Sequence, residues 1–292
     1  MKREVRQLAV LGASGMLGQA LCKVARRRGV EVTGVDLQGA DVDLDIRQDD
    51  ALAAFCGDRS FDCLINTCAI VNHAFCDQHP GEAYLLNARP SAVLANLARD
   101  KGFKYVYVST DGYFSGDGRC KHAEDAPMTL LNEYARTKYA GEVFATRNPE
   151  ALVARTNIVG FRGKPDQPTF VEWALGALKR GEPMTLFTDY YTSSISVAQY
   201  SEALLDLIAA DAVGTINVAS SEVSSKAEFI TSLAKAFGLS LANAKSGSVA
   251  SLTQSKRADS LGLDVSKVES ILGRKLPGLK DVIAQLRSEC HD

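Results

Sequence analysis

The chain has 292 residues, 46% hydrophobic and 23% charged, with 33 basic against 35 acidic side chains and a net charge of -2. That balance suits a water-soluble globular protein and gives no electrostatic case for a nucleic-acid or anionic-membrane partner. No stretch approaches eighteen apolar residues, the apolar run at the N-terminus is too short for a signal peptide, and the seven cysteines are odd in number without C-x-x-C spacing. A reduced, cytoplasmic setting without a membrane span is the expectation.

Gln7 to Leu11 reads as a buried strand. It runs into Gly12-Ala13-Ser14-Gly15-Met16-Leu17-Gly18, and a helical pattern follows through Leu21, Val24 and Ala25 until Gly29. Glu31 to Val35 is a second strand, followed by Asp36. Glycines in such a turn let the backbone approach a pyrophosphate, and the helix N-terminus faces its charge. An acid after the second strand can accept from a ribose hydroxyl. The run Arg26-Arg27-Arg28 closes the helix and complements its dipole.

Val42 to Ile46 suggests a short strand, whose Asp45 either meets an adenine amino group or caps the helix starting near Arg47. Phe61 to Cys68 is another buried strand, and Cys68 reads as a small packing residue. Pro80 to Lys101 reads as helical, with Pro90 expected to kink or break it. Asn87 within it either bridges backbones or faces solvent.

Lys104 to Val108 is the next strand and ends in Ser109-Thr110-Asp111; Asn132 to Thr146 is the next helix and Ala151 to Val159 the next strand. Alternating strands and helices imply a parallel sheet with helices on both faces. Beyond Gly160 come a loop over 161–168, a helix Thr169 to Arg180 carrying Trp173, a strand Met184 to Phe187, and an extended segment 189–197. A helix Gln199 to Ala209 and a strand Gly214 to Ala219 follow, then mostly helix from Ser225. The expected architecture is α/β, a Rossmann-like doubly wound parallel sheet with a smaller, mostly helical C-terminal substrate lobe. Residues 1–160, joined by about 184–219, would form the dinucleotide-binding domain; 161–183 and 220–292 would form the lobe.

Tyr134 and Lys138 are one helical turn apart and share a face. Reduction of a ketone needs a proton at oxygen as hydride reaches carbon. A tyrosine is a poor acid–base group near neutral pH unless its anion is stabilised, and a neighbouring ammonium is expected to lower its pKa. Thr110 at the strand end can hold the substrate oxygen.

GASGMLGQAL at 12–21, VSTDGYFSG at 108–116 and EYARTKYAGE at 133–142 resemble the extended short-chain dehydrogenase/reductases, and within them the dTDP-4-dehydrorhamnose reductase family. RTNIVG at 155–160 and SKRADSLGLDVSK at 255–267 extend the resemblance nearly end to end. It implies NAD(P)H-dependent reduction of a 4-keto-6-deoxy nucleotide sugar, with Tyr134 as proton donor, Lys138 holding the ribose and Thr110 the keto oxygen. A cofactor groove would involve Gly12, Ser14, Gly15, Met16, Leu17, Asp36, Asp45 and Ile46. Thr67, Cys68, Ala69, Asn87, Ser109, Tyr134, Lys138 and Arg155 would complete it. The substrate would meet Asn72, Thr110, Asp111, Gly112, Tyr134, Trp173 and Arg257.

Asp36 favours NAD(H), because it repels a 2′-phosphate; NADP(H) stays open because relatives accept both. A homodimer is compatible with the resemblance. Gly112 stands where the family usually has Tyr and where nucleotide-sugar dehydratases carry Glu, which argues against dehydration. Ala74 stands where the family often has an acid, and Ala258 where it has a proline. The metal-binding acids of some relatives are not evident near Gln19-Ala20, so no magnesium is expected. The alternatives are a nucleotide-sugar epimerase and a non-catalytic cofactor-binding subunit resembling the regulatory subunit of methionine adenosyltransferase.

Overall fold

The computed structural model describes residues 3–251 and 258–290. Six strands and six helices alternate in the first half. They are β1 Gln7–Leu11, α1 Met16–Arg27, β2 Glu31–Asp36, β3 Val42–Asp43, α2 Asp49–Asp58 and β4 Cys63–Asn66. Then come α3 His73–Gln78, α4 Pro80–Asn87, α5 Arg89–Lys101, β5 Lys104–Val108, α6 Glu133–Ala145 and β6 Leu152–Arg155. The strands form one parallel sheet in the order β6-β5-β4-β1-β2-β3, and Gly214–Asn217 adds a seventh strand beyond β6. The order reverses between β1 and β4, which opens a crevice at their carboxyl ends.

Period-two alternation builds two cores from one sheet. Leu8, Val10, Ile65 and Val106 face Leu21 and Ala25 of α1, with Leu204 and Ile208 of a later helix, Val197–Ala209. Ala9, Leu11, Leu64, Tyr105 and Tyr107 face Leu52 and Phe55 of α2 and Leu94 and Ala98 of α5. Covered on both sides, β5 is buried at every residue.

Three differences from the sequence reading bear on the site. The break expected in the helix over 80–101 falls at Ala88, two residues before Pro90, which then sits in the first turn of α5 where its missing N–H costs nothing. The Asn87 carbonyl near the break accepts the Tyr107 hydroxyl at 2.7 Å. The expected strand 151–159 is two pieces, because Thr156 and Asn157 turn their carbonyls to Asp111 N and Ile195 N. Ile158–Val159 then pairs in parallel with Ile195–Ser196 outside the main sheet. The short helix α3 was not expected; the Asn72 side chain caps it by accepting from Phe75 N at 3.0 Å.

Of the 184–219 segment, Val197–Ala209 and Gly214–Asn217 lie on the main sheet, whereas Met184–Phe187 pairs with Ala244–Gly247 apart from it. Helices α7 Phe170–Arg180, Lys226–Phe237 and Leu279–Glu289 pack around Val171, Leu175, Phe229, Leu233, Val282 and Leu286, whereas Leu263, Val265, Val268 and Leu276 join the core of the main sheet. No described helix is long and apolar enough to cross a membrane.

Candidate active site

The first wall of the crevice is the turn after β1. Gly12 has φ +83°, and a Cβ there would sit 2.6 Å from Thr67 Oγ1. A Cβ at Gly18 would lie 2.1 Å from the Gly12 carbonyl oxygen, so α1 can press its first turns onto the loop only because that residue is glycine. Gly15 starts α1 in an extended conformation, with no side-chain cap and no acid in the first turn. The N–H groups of that turn are therefore available to an anion.

Asp36 closes the turn from the side. Its Oδ2 accepts from Ser14 N at 3.0 Å and Ser14 Oγ at 2.6 Å, and its Oδ1 from Leu37 N at 2.8 Å. Asp45 is held by Arg47 Nη2 at 2.7 Å, and that guanidinium keeps its carboxyl below the ordinary range. Thr67 Oγ1 donates to the Leu11 carbonyl at 2.7 Å. Burial pushes the Cys68 thiol up to about 12, so it is a neutral packing group at physiological pH.

The turn, Met16, Leu17, Asp36, Asp45, Ile46, Thr67, Cys68 and Ala69 line one cleft of about 710 Å³. The same cleft is also lined by Leu86, Ile158, Arg162, Lys164 and Gln167, of which the last four come from beyond β6 and were not expected here. Asn87 lies under the cleft's rim instead of in it. Its Oδ1 accepts from Ile70 N at 2.8 Å, and its Nδ2 donates to Ile70 O at 3.1 Å and Thr137 Oγ1 at 3.0 Å, tying the loop after β4 to α6.

The predicted residues Ser109, Thr110, Tyr134 and Lys138 lie at the end of β5 and on α6 and are not among the residues lining that cleft. Asn132 caps α6 by accepting from Ala135 N at 2.9 Å, which fixes Tyr134 in the first turn. Tyr134 is half-buried and stacks on His73 of α3 at a centroid distance of 4.7 Å. Its hydroxyl is hydrogen-bonded with Thr110. The Lys138 ammonium is buried, donates to the Val108 carbonyl at 2.8 Å and lies 4.2 Å from the centre of the Tyr107 ring.

The electrostatics differ from the expectation that Lys138 would lower the Tyr134 pKa. Burial raises Tyr134 to about 12, and the contribution opposing it comes from the hydrogen bond with Thr110. Burial lowers Lys138 to about 7, against the attraction of Glu142. Desolvation wins at both groups because the pair is enclosed and the ammonium is directed at a backbone carbonyl.

Asp111 is 3% exposed, and one of its carboxylate oxygens has no partner. Burial raises its pKa to about 7, against hydrogen bonding from Asn157 and attraction from Lys226. Lys226, from the C-terminal lobe, is lowered by burial to about 8 and packs 4.3 Å from the centre of the Phe170 ring. Lys226 and Asn157 were missed in the sequence. A signal existed for Lys226: it occupies the first position of a helix opened by the Ser225–Glu228 capping box, where a cation opposes the helix dipole.

Behind Lys138 runs a buried polar chain. Ser109 Oγ is 3.0 Å from Tyr113 OH, which donates to Glu142 Oε1 at 3.1 Å. Glu142 accepts from Arg155 Nη2 at 2.8 Å, both side chains being 4% exposed. Arg155, expected at the cofactor, is not among the residues lining the cleft, and its Nη1 donates to the Glu124 carbonyl. Gly112 lies beside the pair: a Cβ there would be 3.3 Å from Thr110 Oγ1 and 3.9 Å from Tyr134 Cε1. Trp173 is 46% exposed on α7 beside Phe170, Asn72 is exposed at the start of α3, and Arg257 lies outside the described residues. Among the described residues there is no cluster of three His, Cys, Asp or Glu side chains able to hold a metal ion.

A parallel sheet with this glycine turn, and a half-buried Tyr and a buried Lys one turn apart beside Thr110, defines an NAD(P)-dependent oxidoreductase of the extended short-chain dehydrogenase/reductase class. The model of the RmlD substrate binding domain family matches residues 6–290, and the chain belongs to that family. Among curated relatives it is similar to the probable low-salt glycan biosynthesis reductase Agl14 of Haloferax volcanii, 29% identical over 97% of this chain and 98% of the relative. It is also similar to the dTDP-4-dehydrorhamnose reductase of Mycobacterium tuberculosis, 31% identical over 74% of this chain and 70% of the relative. A solved dTDP-4-dehydrorhamnose reductase from Bacillus anthracis in complex with NADP shares the fold, with a TM-score of 0.89 at 22% identity over 99% of this chain and 100% of that one.

Proposed function

We propose that this protein reduces the 4-keto group of a 4-keto-6-deoxy nucleotide sugar with NAD(P)H. The observation that carries the reading is the convergence of Thr110, Tyr134 and Lys138 at the carboxyl end of β5, beside the cleft that the glycine turn opens. The names of the relatives, reductases of glycan and dTDP-sugar synthesis, support it.

A phenol with its pKa raised to about 12 is protonated at neutral pH, so Tyr134 carries its proton before the substrate arrives. Thr110 holds that hydroxyl and aims it at the keto oxygen. The nicotinamide cofactor, when bound, supplies the hydride. Lys138, one helical turn from Tyr134 and fixed by the Val108 carbonyl, is the residue that would hold the ribose and, when protonated, supply positive charge near the tyrosinate that proton transfer leaves. Gly112 brings no acid to the pocket, and elimination of a hydroxyl would need one.

NAD(H) is the favoured cofactor. The Asp36 carboxylate sits at the glycine turn on Ser14 and meets a ribose 2′-hydroxyl more readily than a 2′-phosphate. The NADP bound by the B. anthracis neighbour keeps NADP(H) as the second choice. Incubation with NADH and a dTDP-4-keto-6-deoxy sugar tests the reading. Net loss of NADH with formation of the 4-hydroxy sugar supports reduction; sugar turnover without net NADH loss would mean epimerisation instead.

A further inference from the structure

We propose that the loop 161–168 is the second jaw of the cofactor cleft and that Arg162 is the residue through which it grips the dinucleotide pyrophosphate. The inference rests on the cofactor reading above. The loop leaves the main sheet after Ile158–Val159 and runs along the open side of the cleft, where Arg162, Lys164 and Gln167 face the glycine turn and Asp36. Lys164 also lines a neighbouring hollow with Ser14, Gln38 and Gly39. Arg162 lines the same cleft as Gly12 and Gly15.

The guanidinium is only partly employed. Its Nη1 makes long contacts to Gln167, at 3.3 Å to the carbonyl and 3.5 Å to the side-chain oxygen. Its Nε is buried without a hydrogen-bond partner, and no carboxylate among the described residues forms an ion pair with it. That enclosed Nε does not face the cleft, so the guanidinium would meet an anion, the acceptor that suits its fork best, through its outer nitrogens. The same cleft offers the uncapped N–H groups of α1. Two sets of donors thus line one cleft, and the chemical class they fit is a phosphodiester or pyrophosphate.

A separate device holds the jaw in place. Glu172 completes the capping box of α7 by accepting from Thr169 N at 2.7 Å. Its other oxygen accepts from Arg162 N at 2.8 Å and Gly163 N at 2.7 Å, while Thr169 Oγ1 donates to the Gly160 carbonyl at 2.6 Å. Burial acts to raise the Glu172 carboxyl, but these backbone donors outweigh it and keep the carboxyl below its ordinary range. The carboxylate therefore fixes the backbone on both sides of the arginine without neutralising its fork.

The test uses the full chain and calorimetric titration with ADP-ribose and with adenosine. Loss of a charge-assisted phosphate contact in Arg162→Gln is expected to weaken ADP-ribose by roughly 10–100-fold, with adenosine within about twofold of wild type. Arg162→Lys, which keeps the cation and loses the fork, should fall between wild type and Arg162→Gln. Glu172→Gln should weaken ADP-ribose with Arg162 still present. An Arg162→Gln protein that binds ADP-ribose within about twofold of wild type would overturn the proposal. So would equal losses for ADP-ribose and adenosine in Arg162→Lys. Wild type that binds neither NADH nor ADP-ribose would overturn the cofactor reading itself, a distinct result.

Discussion

Replacing Asp111 by Asn should make the protein more stable, and increasingly so as pH rises. The carboxyl is 3% exposed with one oxygen unpartnered, and its pKa is raised from 3.8 to about 7. An acid whose folded pKa lies above its unfolded value binds more protons folded than unfolded between those two values. Its contribution is most favourable below the unfolded pKa and is lost as pH rises through the folded one, so the window is about pH 4 to 7. A shift of about three units at 1.36 kcal/mol each sets a ceiling of about 4 kcal/mol. Lys226, already lowered to about 8, would lose its counter-charge in the variant, which reduces the gain. The expected outcome is that the stability difference between variant and wild type grows by about 1–3 kcal/mol from pH 4 to pH 8. Urea unfolding at the two pH values, with slopes checked for equality, reads it directly. A difference that stays constant with pH, or reverses sign, would show that Asp111 is ionised at no cost and that the electrostatic picture of this pocket is wrong.

Other outcomes follow from the same geometry. Glu142→Ala leaves the buried Arg155 guanidinium without its carboxylate and should cost about 3–5 kcal/mol in chemical denaturation, far more than a surface ion pair. Gly18→Ala puts a methyl 2.1 Å from the Gly12 carbonyl oxygen and must push α1 off the turn; fluorescence titration should show NADH affinity reduced by about tenfold or more.

The parts of the site legible in the sequence are those fixed by local backbone rules. The turn from Gly12 to Gly18 and the acid at Asp36 follow from the strand–turn–helix spacing, and Pro90 marked a helix break that occurs at Ala88. Tyr134 and Lys138 were readable because helical spacing puts them on one face, and that same spacing reaches Glu142, one turn further on and equally buried. Extending it would have paired Arg155 correctly; an arginine at a strand end looks the same in sequence whether it awaits a phosphate or a buried carboxylate. Arg162 and Asn157 were not legible as site residues, and Lys226 was marked only by its place as a cation at a helix start. They arrive through tertiary packing, from a loop beyond β6, a turn that splits the expected strand 151–159, and a helix of the other lobe. The direction of the Tyr134 shift was missed for a related reason. The pattern gives the distance to a charge along a helix, whereas burial, which dominates here, is a property of the whole fold.

The most direct test of reduction with Tyr134 as proton donor is the rate of NADH oxidation by wild type and Tyr134→Phe, on a panel of nucleotide-linked 4-keto-6-deoxy sugars. Wild type should turn over at least one of them with net NADH loss. Tyr134→Phe should lose roughly 10²–10⁴-fold in kcat while still binding NADH, since only the proton is removed. A Tyr134→Phe enzyme of undiminished kcat on a substrate that wild type reduces would contradict the assigned role.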